Sequence, residues 1–359
     1  MISKKVIESL QNNRDKRLRG EVIAIPWNLP RLSRLLPGVE KSRYVLISAQ
    51  QKAGKSQLTD FLYVIQPIEW AMNTKTNIKL KIIYFSLEMG RESKLLQAIS
   101  YKLNKSYDIS ISPQYLKSTF GGYILNENIL KVIQSRDFQA WLSKFESYIS
   151  YIDDVRSPDR IYSFVRGYAE KHGKYIKEND IIQEYIPNDP NEHVIIITDH
   201  LSLLTPDAGE TLHNAMYKYS AYYCLEFRDR FGYTVVNVQQ MSASSLMQQF
   251  TTRGESILEK IRPSPDGLAD MKLSSRDCDL MISLFNPSAY NIEEYNGLDL
   301  KRLSPWHREL YVNLNRFGLS NASIQLYFNG AVNEFMELPR DMDETTYKLI
   351  NNKVNKLIT

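Results

Sequence analysis

The sequence predicts an α/β protein with a mostly parallel central sheet, flanking helices and an antiparallel hairpin at one edge. Three observations point there. Five short apolar runs lack polar alternation, as strands buried on both faces do: "YVLIS" (44–48), "KIIYFS" (81–86), "HVIIIT" (193–198), "TVVNV" (234–238) and "DLMISLF" (279–285). Helix-period stretches such as "SQLTDFLYVIQPIEWAM" and "TLHNAMYKYSAYYCLEFRDRFG" lie between them. That alternation implies right-handed crossovers and three layers. Two further runs, "ELYVNL" (309–314) and "SIQLYF" (323–328), alternate better and follow one another across "NRFGLSNA", the pattern of an edge hairpin. A ligand of such a sheet sits beyond the carboxyl ends of its strands.

Taken in chain order, residues 1–20 carry Lys4, Lys5, Arg14, Lys16, Arg17 and Arg19 against Glu8 and Asp15, with Ile2, Val6 and Leu10 at helical spacing. They read as a basic amphipathic arm, and a frayed solvated end is the plainer alternative. The main domain is expected over 21–338. Its first strand, "YVLIS", runs into Ala49-Gln50-Gln51-Lys52-Ala53-Gly54-Lys55-Ser56 and then the helical "SQLTDFLYV". A phosphate-binding loop needs this strand–loop–helix context, because backbone N–H groups at a helix N-terminus surround the phosphates. Lys55 supplies charge to the β- and γ-oxygens, and the Ser56 hydroxyl is a ligand for Mg²⁺. Ala49 stands where the usual G-x-x-x-x-G-K-[ST] pattern has its first glycine, which is tolerable unless that position needs a positive φ. The bland alternative is a surface loop with an accidental Gly-Lys-Ser. The flanking elements favour nucleotide binding.

Later strands end on groups suited to hydrolysis. "HVIIITDH" places Asp199 where a carboxylate holds the Mg²⁺ shell, "IIYFSLEMG" places Glu88 to orient water, and "VVNVQQ" places Gln240 to sense the γ-phosphate. A turn residue and a surface amide are the plain alternatives for Asp199 and Gln240. Extra length beyond a minimal core is expected at about 104–148 and 174–192. Residues 339–359, ending in "DMDETTYKLINNKVNKLIT", read as a terminal helix that packs rather than recruits.

The set "AGKS", "FSLEM", "IDD" (152–154), "IIITDHLSLL" and "VVNVQQM" resembles the RecA-like motor domain of the DnaB family of replicative helicases. "FSLEM" is the most discriminating piece. "RGEVIAIPWNLPRLSRLLPGV", the Asp277-Cys278-Asp279 step and "ELYVNLNRFG" extend the resemblance over roughly 20–335. It implies a RecA-like P-loop NTPase core using ATP and Mg²⁺, with Lys55 on the phosphates, Ser56 and Asp199 at the metal, Glu88 as base and Gln240 as sensor. Arg316 falls at the family's arginine finger, which enters a neighbour's site, so a homo-oligomer, typically a hexamer, is implied. Primase or loader proteins are further partners the resemblance implies. Two departures stand out: Leu314 occupies the position of a family lysine, and "DGLADMKLSSRDCD" matches poorly. The resemblance places no part of this sequence in the family's N-terminal collar domain, and a phage or mobile-element gene is the expectation.

The stretch "SASSLMQQFTTRGESILEKIRPSPDG" (242–267) follows the sensor strand, and Arg253, Lys260 and Arg262 are its cations. In a RecA-like ring such a loop faces the channel, where a few cations per subunit grip the backbone of single-stranded DNA. The plain alternative is a solvated surface loop. Hydrophobic content is 43%, charged content 24% and net charge +4, which permits an anionic partner without arguing for one. Two cysteines, five scattered histidines and a start without an apolar signal core predict a cytoplasmic protein of a bacterial or phage-infected cell, without a transition-metal site. The leading expectation is an ATP-dependent DNA helicase or translocase acting in DNA replication. A RecA/RadA- or KaiC-like ATPase without unwinding and an ATP-binding assembly scaffold are the alternatives.

Overall fold

The computed structural model describes residues 2–76, 78–119, 121–179, 181–242, 247 and 261–357. In chain order its strands are β1 (Tyr44–Ala49), β2 (Lys79–Ser86), β3 (Ile149–Ile152), β4 (Gly173–Glu178), β5 (Ile181–Pro187), β6 (Glu192–Asp199) and β7 (Thr234–Gln240). They continue with β8 (Leu280–Phe285), β9 (Glu294–Tyr295), β10 (Leu298–Asp299), β11 (His307–Asn315), β12 (Ala322–Asn329) and β13 (Glu334–Glu337). A nine-stranded sheet runs in the order β13–β12–β11–β8–β1–β7–β6–β2–β3. From β8 to β3 every pairing is parallel, and from β8 to β13 every pairing is antiparallel.

All five expected buried strands are present, because each run carries apolar side chains for both faces. Val45 and Ile47 of β1 enter one core with Leu58, Leu62 and Ile68. Tyr44 and Leu46, pointing the other way, enter a second core with Ile161, Val165 and Phe227. The helical stretch 55–73 covers the first face, and Pro158–His172 covers the second. Strands β11 and β12 pair antiparallel as expected, from His307↔Tyr327 to Val312↔Ala322. They do not form the edge, however. The border is β13, whose "EFME" is too short and too polar to signal a strand on its own.

Residues 104–148 contain the helices Pro113–Leu116, Glu127–Gln134 and Arg136–Tyr148, the latter two capped by Asn126 and Ser135. They enclose a small core of Leu103, Ile111, Leu116, Ile129 and Phe138. The stretch 174–192 is spanned mainly by the β4–β5 hairpin. Tyr185 crosses Gly173 so closely that a Cβ there would meet its ring at 2.3 Å. The first helix, Ile2–Leu18, leaves Val6, Ile7 and Leu10 more than half exposed. The last helix, Glu344–Asn355, is capped by Asp343 and buries Tyr347 and Ile350. No helix among the described residues is long and apolar enough to cross a membrane.

Candidate nucleotide-binding and catalytic site

The loop between β1 and the helix beginning at Lys55 is shaped by two backbone positions. Gly54 has φ +106°, and a Cβ on it would come within 2.8 Å of the Phe328 ring. Only glycine satisfies both demands. The other positive φ belongs to Lys52, at +60°. Ala49 instead ends β1 in regular register, opposite Gln240 on β7 and Leu284 on β8. Alanine is therefore no obstacle there. The Ala53 carbonyl accepts a 2.8 Å hydrogen bond from Nε of Arg308, a buried residue at the start of β11. Burial pushes the Arg308 guanidinium down to about 10, so it is still charged at neutral pH. Gln50 is buried, and its Oε1 lacks a hydrogen bond.

Four neighbouring strands deliver the expected residues to one edge of the sheet, in the spatial order β1, β7, β6, β2. Lys55 is buried, with Nζ 3.5 Å from Oε2 of the half-exposed Glu88. The Glu88 and Leu87 amides both point at the Asp199 carbonyl, at 3.3 and 2.8 Å, so the turn carrying Glu88 is tied to the end of β6. His200 Nε2 lies 3.8 Å from Glu88 Oε2 and 3.4 Å from the Gln240 amide nitrogen. Burial, then the charge of Lys55, lowers the His200 pKa, leaving the ring neutral at pH 7.

Asp199 is enclosed. Its Oδ2 accepts from the Tyr84 hydroxyl at 3.0 Å and from Lys94 Nζ at 3.4 Å. Lys94, itself buried, also holds both oxygens of Asp60 at 3.2 and 3.0 Å and the Tyr84 hydroxyl at 2.7 Å. Burial alone would raise the Asp199 carboxyl, but Lys94, the Ser56 hydroxyl, Lys55 and Tyr84 outweigh it and hold the pKa below the usual range. Oδ1 of Asp199 makes no hydrogen bond of ordinary geometry. A buried carboxylate oxygen that lacks a well-formed hydrogen bond and lies beside the Ser56 hydroxyl fits a divalent cation such as Mg²⁺.

Not every expected residue joins this group. Arg316 follows β11 at the opposite end of the sheet, where its amide donates to the Asp279 carbonyl at 2.9 Å and its guanidinium to the Arg276 carbonyl. Leu314 packs against the second core. Of the loop cations, Arg253 and Lys260 lie outside the described residues. Arg262 donates to the Tyr295 hydroxyl at 3.2 Å and lies over that ring, so it is engaged in the fold rather than free.

Sequence reading passed over Lys94, Asp60, Tyr84, His200 and Arg308. A signal existed for two of them. Lys94 falls on the buried face of its helix with Ala98 and Tyr101, and Asp60 interrupts the apolar "LTDFLYVI". Charges in such places need partners.

The fold is shared with proteins of known structure. One is described as an ATPase domain, at 19% identity and a TM-score of 0.65, covering 94% of this chain and 99% of that one. Another is a DnaB-like replicative helicase, described with its interactions with primase, at 19% identity and a TM-score of 0.64. It covers 92% of this chain, which spans 66% of that protein's length. No protein-family model matches the sequence, and no curated protein matches it. The α/β fold with a mostly parallel central sheet expected from the sequence is thus the fold found, and these two structures share it.

Proposed function

We propose that the chain is an ATP-dependent, DnaB-like DNA helicase or translocase that acts on single-stranded DNA as a ring, typically a hexamer, in DNA replication. One observation carries the reading: Lys55, Glu88, Asp199 and Gln240 converge at one sheet edge while Arg316 stands at the other. Eight residues along β11 separate Arg308, which touches the phosphate loop, from Arg316, about 26 Å at ~3.3 Å per residue. An arginine so placed cannot serve its own site, and a finger donated to a neighbour explains its position.

In this reading the loop amides and Lys55 bind the β- and γ-phosphates of ATP, and the Lys55–Glu88 contact opens as the γ-phosphate takes Lys55. Ser56 and Asp199 would hold Mg²⁺, which spreads the charge that develops between those phosphates. Glu88, half exposed and tethered to Asp199 through the backbone, accepts a proton from the attacking water. Gln240, at the end of β7, and His200 would carry nucleotide state onward along the chain toward residues 242–267, the stretch proposed to meet DNA.

A weaker motor remains the second reading, an oligomeric ATPase or assembly scaffold without unwinding. Leu314 favours it, since a side chain packed on the core offers no cation to a neighbour's phosphate. A strand-displacement assay on a forked DNA, with ATP and with a non-hydrolysable analogue, separates the two. ATP-dependent displacement is expected, and hydrolysis without displacement would leave the second reading standing.

A further inference from the structure

Lys94 lies outside the phosphate loop, yet its ammonium joins three segments of the site. It grips Asp60, four residues beyond Ser56 on the same helical stretch, by both carboxylate oxygens. It contacts Oδ2 of Asp199 at the end of β6. Its own helix, Arg91–Tyr107, begins just after Glu88. Tyr84 completes the cluster, accepting from Lys94 and donating to the same Oδ2.

The geometry has two consequences. Pinning Oδ2 with two donors fixes the rotation of the Asp199 carboxylate, and therefore the direction of Oδ1. Within the cluster the Lys94 ammonium serves two carboxylates at once, Asp60 through both oxygens and Asp199 through Oδ2 only. The oxygen free of hydrogen bonds is Oδ1 of Asp199. A buried carboxylate oxygen without a hydrogen bond of ordinary geometry is costly unless a donor or a cation meets it. The link to Asp60 also sets how far the helix bearing Ser56 stands from the strand bearing Asp199. We infer that Lys94 is a positioning residue which, with Asp60 and Tyr84, preorganises Ser56 and Asp199 for a divalent cation bound with the nucleotide. The inference rests on the nucleotide-binding reading above.

The test uses the full chain, a fluorescent ADP analogue with EDTA or with Mg²⁺, and Mn²⁺ electron paramagnetic resonance in the presence of ADP. Lys94→Met alone strands two buried acids and risks misfolding. Lys94→Met with Asp60→Asn removes the pair in a charge-balanced way, and Tyr84→Phe deletes only the shared hydroxyl. Folding is checked by circular dichroism. Affinity in EDTA is expected to stay within about twofold of wild type in both variants, because neither removes Lys55 or a loop amide from the phosphate cradle. The gain in affinity on adding Mg²⁺ should fall roughly 10–100-fold in the double variant, the usual range for residues that orient metal ligands, and by less in Tyr84→Phe. The bound Mn²⁺ signal should weaken in parallel.

Folded variants with the wild-type Mg²⁺ gain would overturn the inference and leave nucleotide binding intact. If the double variant does not fold, an unchanged gain in Tyr84→Phe overturns it equally. Wild-type protein that binds no nucleotide under either condition would overturn the underlying reading itself.

Discussion

Glu88 shows how one side chain can be tested apart from its neighbours. It reaches Lys55 from a turn held by backbone hydrogen bonds to Asp199, so Glu88→Gln preserves the shape of the site while removing the carboxylate proposed as base. Nucleotide affinity measured by fluorescence should be retained and turnover lost by roughly 10²–10⁴-fold. Unchanged turnover would remove Glu88 from that role. His193 makes a different point about single residues. It is buried, its Nε2 meets Thr234 Oγ1 at 3.0 Å, and that hydroxyl donates onward to the Glu40 carbonyl, so Nε2 carries the proton. Burial, then the charge of Lys41, pushes its pKa down from 6.5 to about 3. The unfolded chain binds that proton more readily, so stability falls as pH drops below 6.5. Two pH units at about 1.4 kcal/mol each amount to about 3 kcal/mol by pH 4.5. Thermal melts from pH 7 to 4.5 should show the loss, and His193→Gln should reduce it.

Strand β11 has a different task at each end. Its start holds the phosphate loop through Arg308, and its finish presents Arg316 away from that loop. Parallel strands bring their carboxyl ends to one edge, whereas an antiparallel strand necessarily carries its far end to the other. Arginine fingers contribute roughly 10³–10⁵ in rate, so Arg316→Ala alone should be nearly inactive. Mixing Arg316→Ala with Lys55→Ala subunits should restore part of the activity, because some interfaces then pair an intact loop with an intact finger. Hydrolysis in the mixture no greater than the sum of the two variants would refute a finger acting between subunits.

For the whole molecule the question is assembly on DNA. The helix Ile2–Leu18 leaves Val6, Ile7 and Leu10 exposed, which suits packing on a neighbouring subunit in the proposed ring. A net charge of +4 cannot drive strong nonspecific binding by one subunit, but a few cations repeated around a channel can. Single-stranded affinity should fall with salt at a log–log slope of roughly −0.7 per phosphate neutralised. Alanine at Arg253, Lys260 and Arg262 together should flatten that slope and abolish DNA-stimulated hydrolysis while ATP binding survives. Arg262→Ala alone should flatten it least, because Tyr295 already engages that guanidinium. An unchanged slope in the triple variant would exclude residues 242–267 as the grip.

The parallel half of the sheet was legible because its strands are continuous apolar runs, and their ends exposed Lys55, Glu88, Asp199 and Gln240 as candidates. Gly54 was legible because the phosphate-loop pattern requires it, and the tight approach of Phe328 supplies a second reason only in three dimensions. Strand β13 was not legible: its four residues acquire strand character from pairing with β12, not from their own pattern. Nor could linear order show that Lys94, Asp60 and Tyr84 enclose Asp199, since the meeting of residues 60, 84, 94 and 199 is a property of packing. The sequence by itself determined the five buried apolar strands, the β11–β12 pair and the residues that stand at their ends, because hydrophobic period and loop chemistry are local. Only the tertiary structure decided which charges share a buried space and how far Arg316 stands from Lys55, because those depend on contacts between segments distant in the chain.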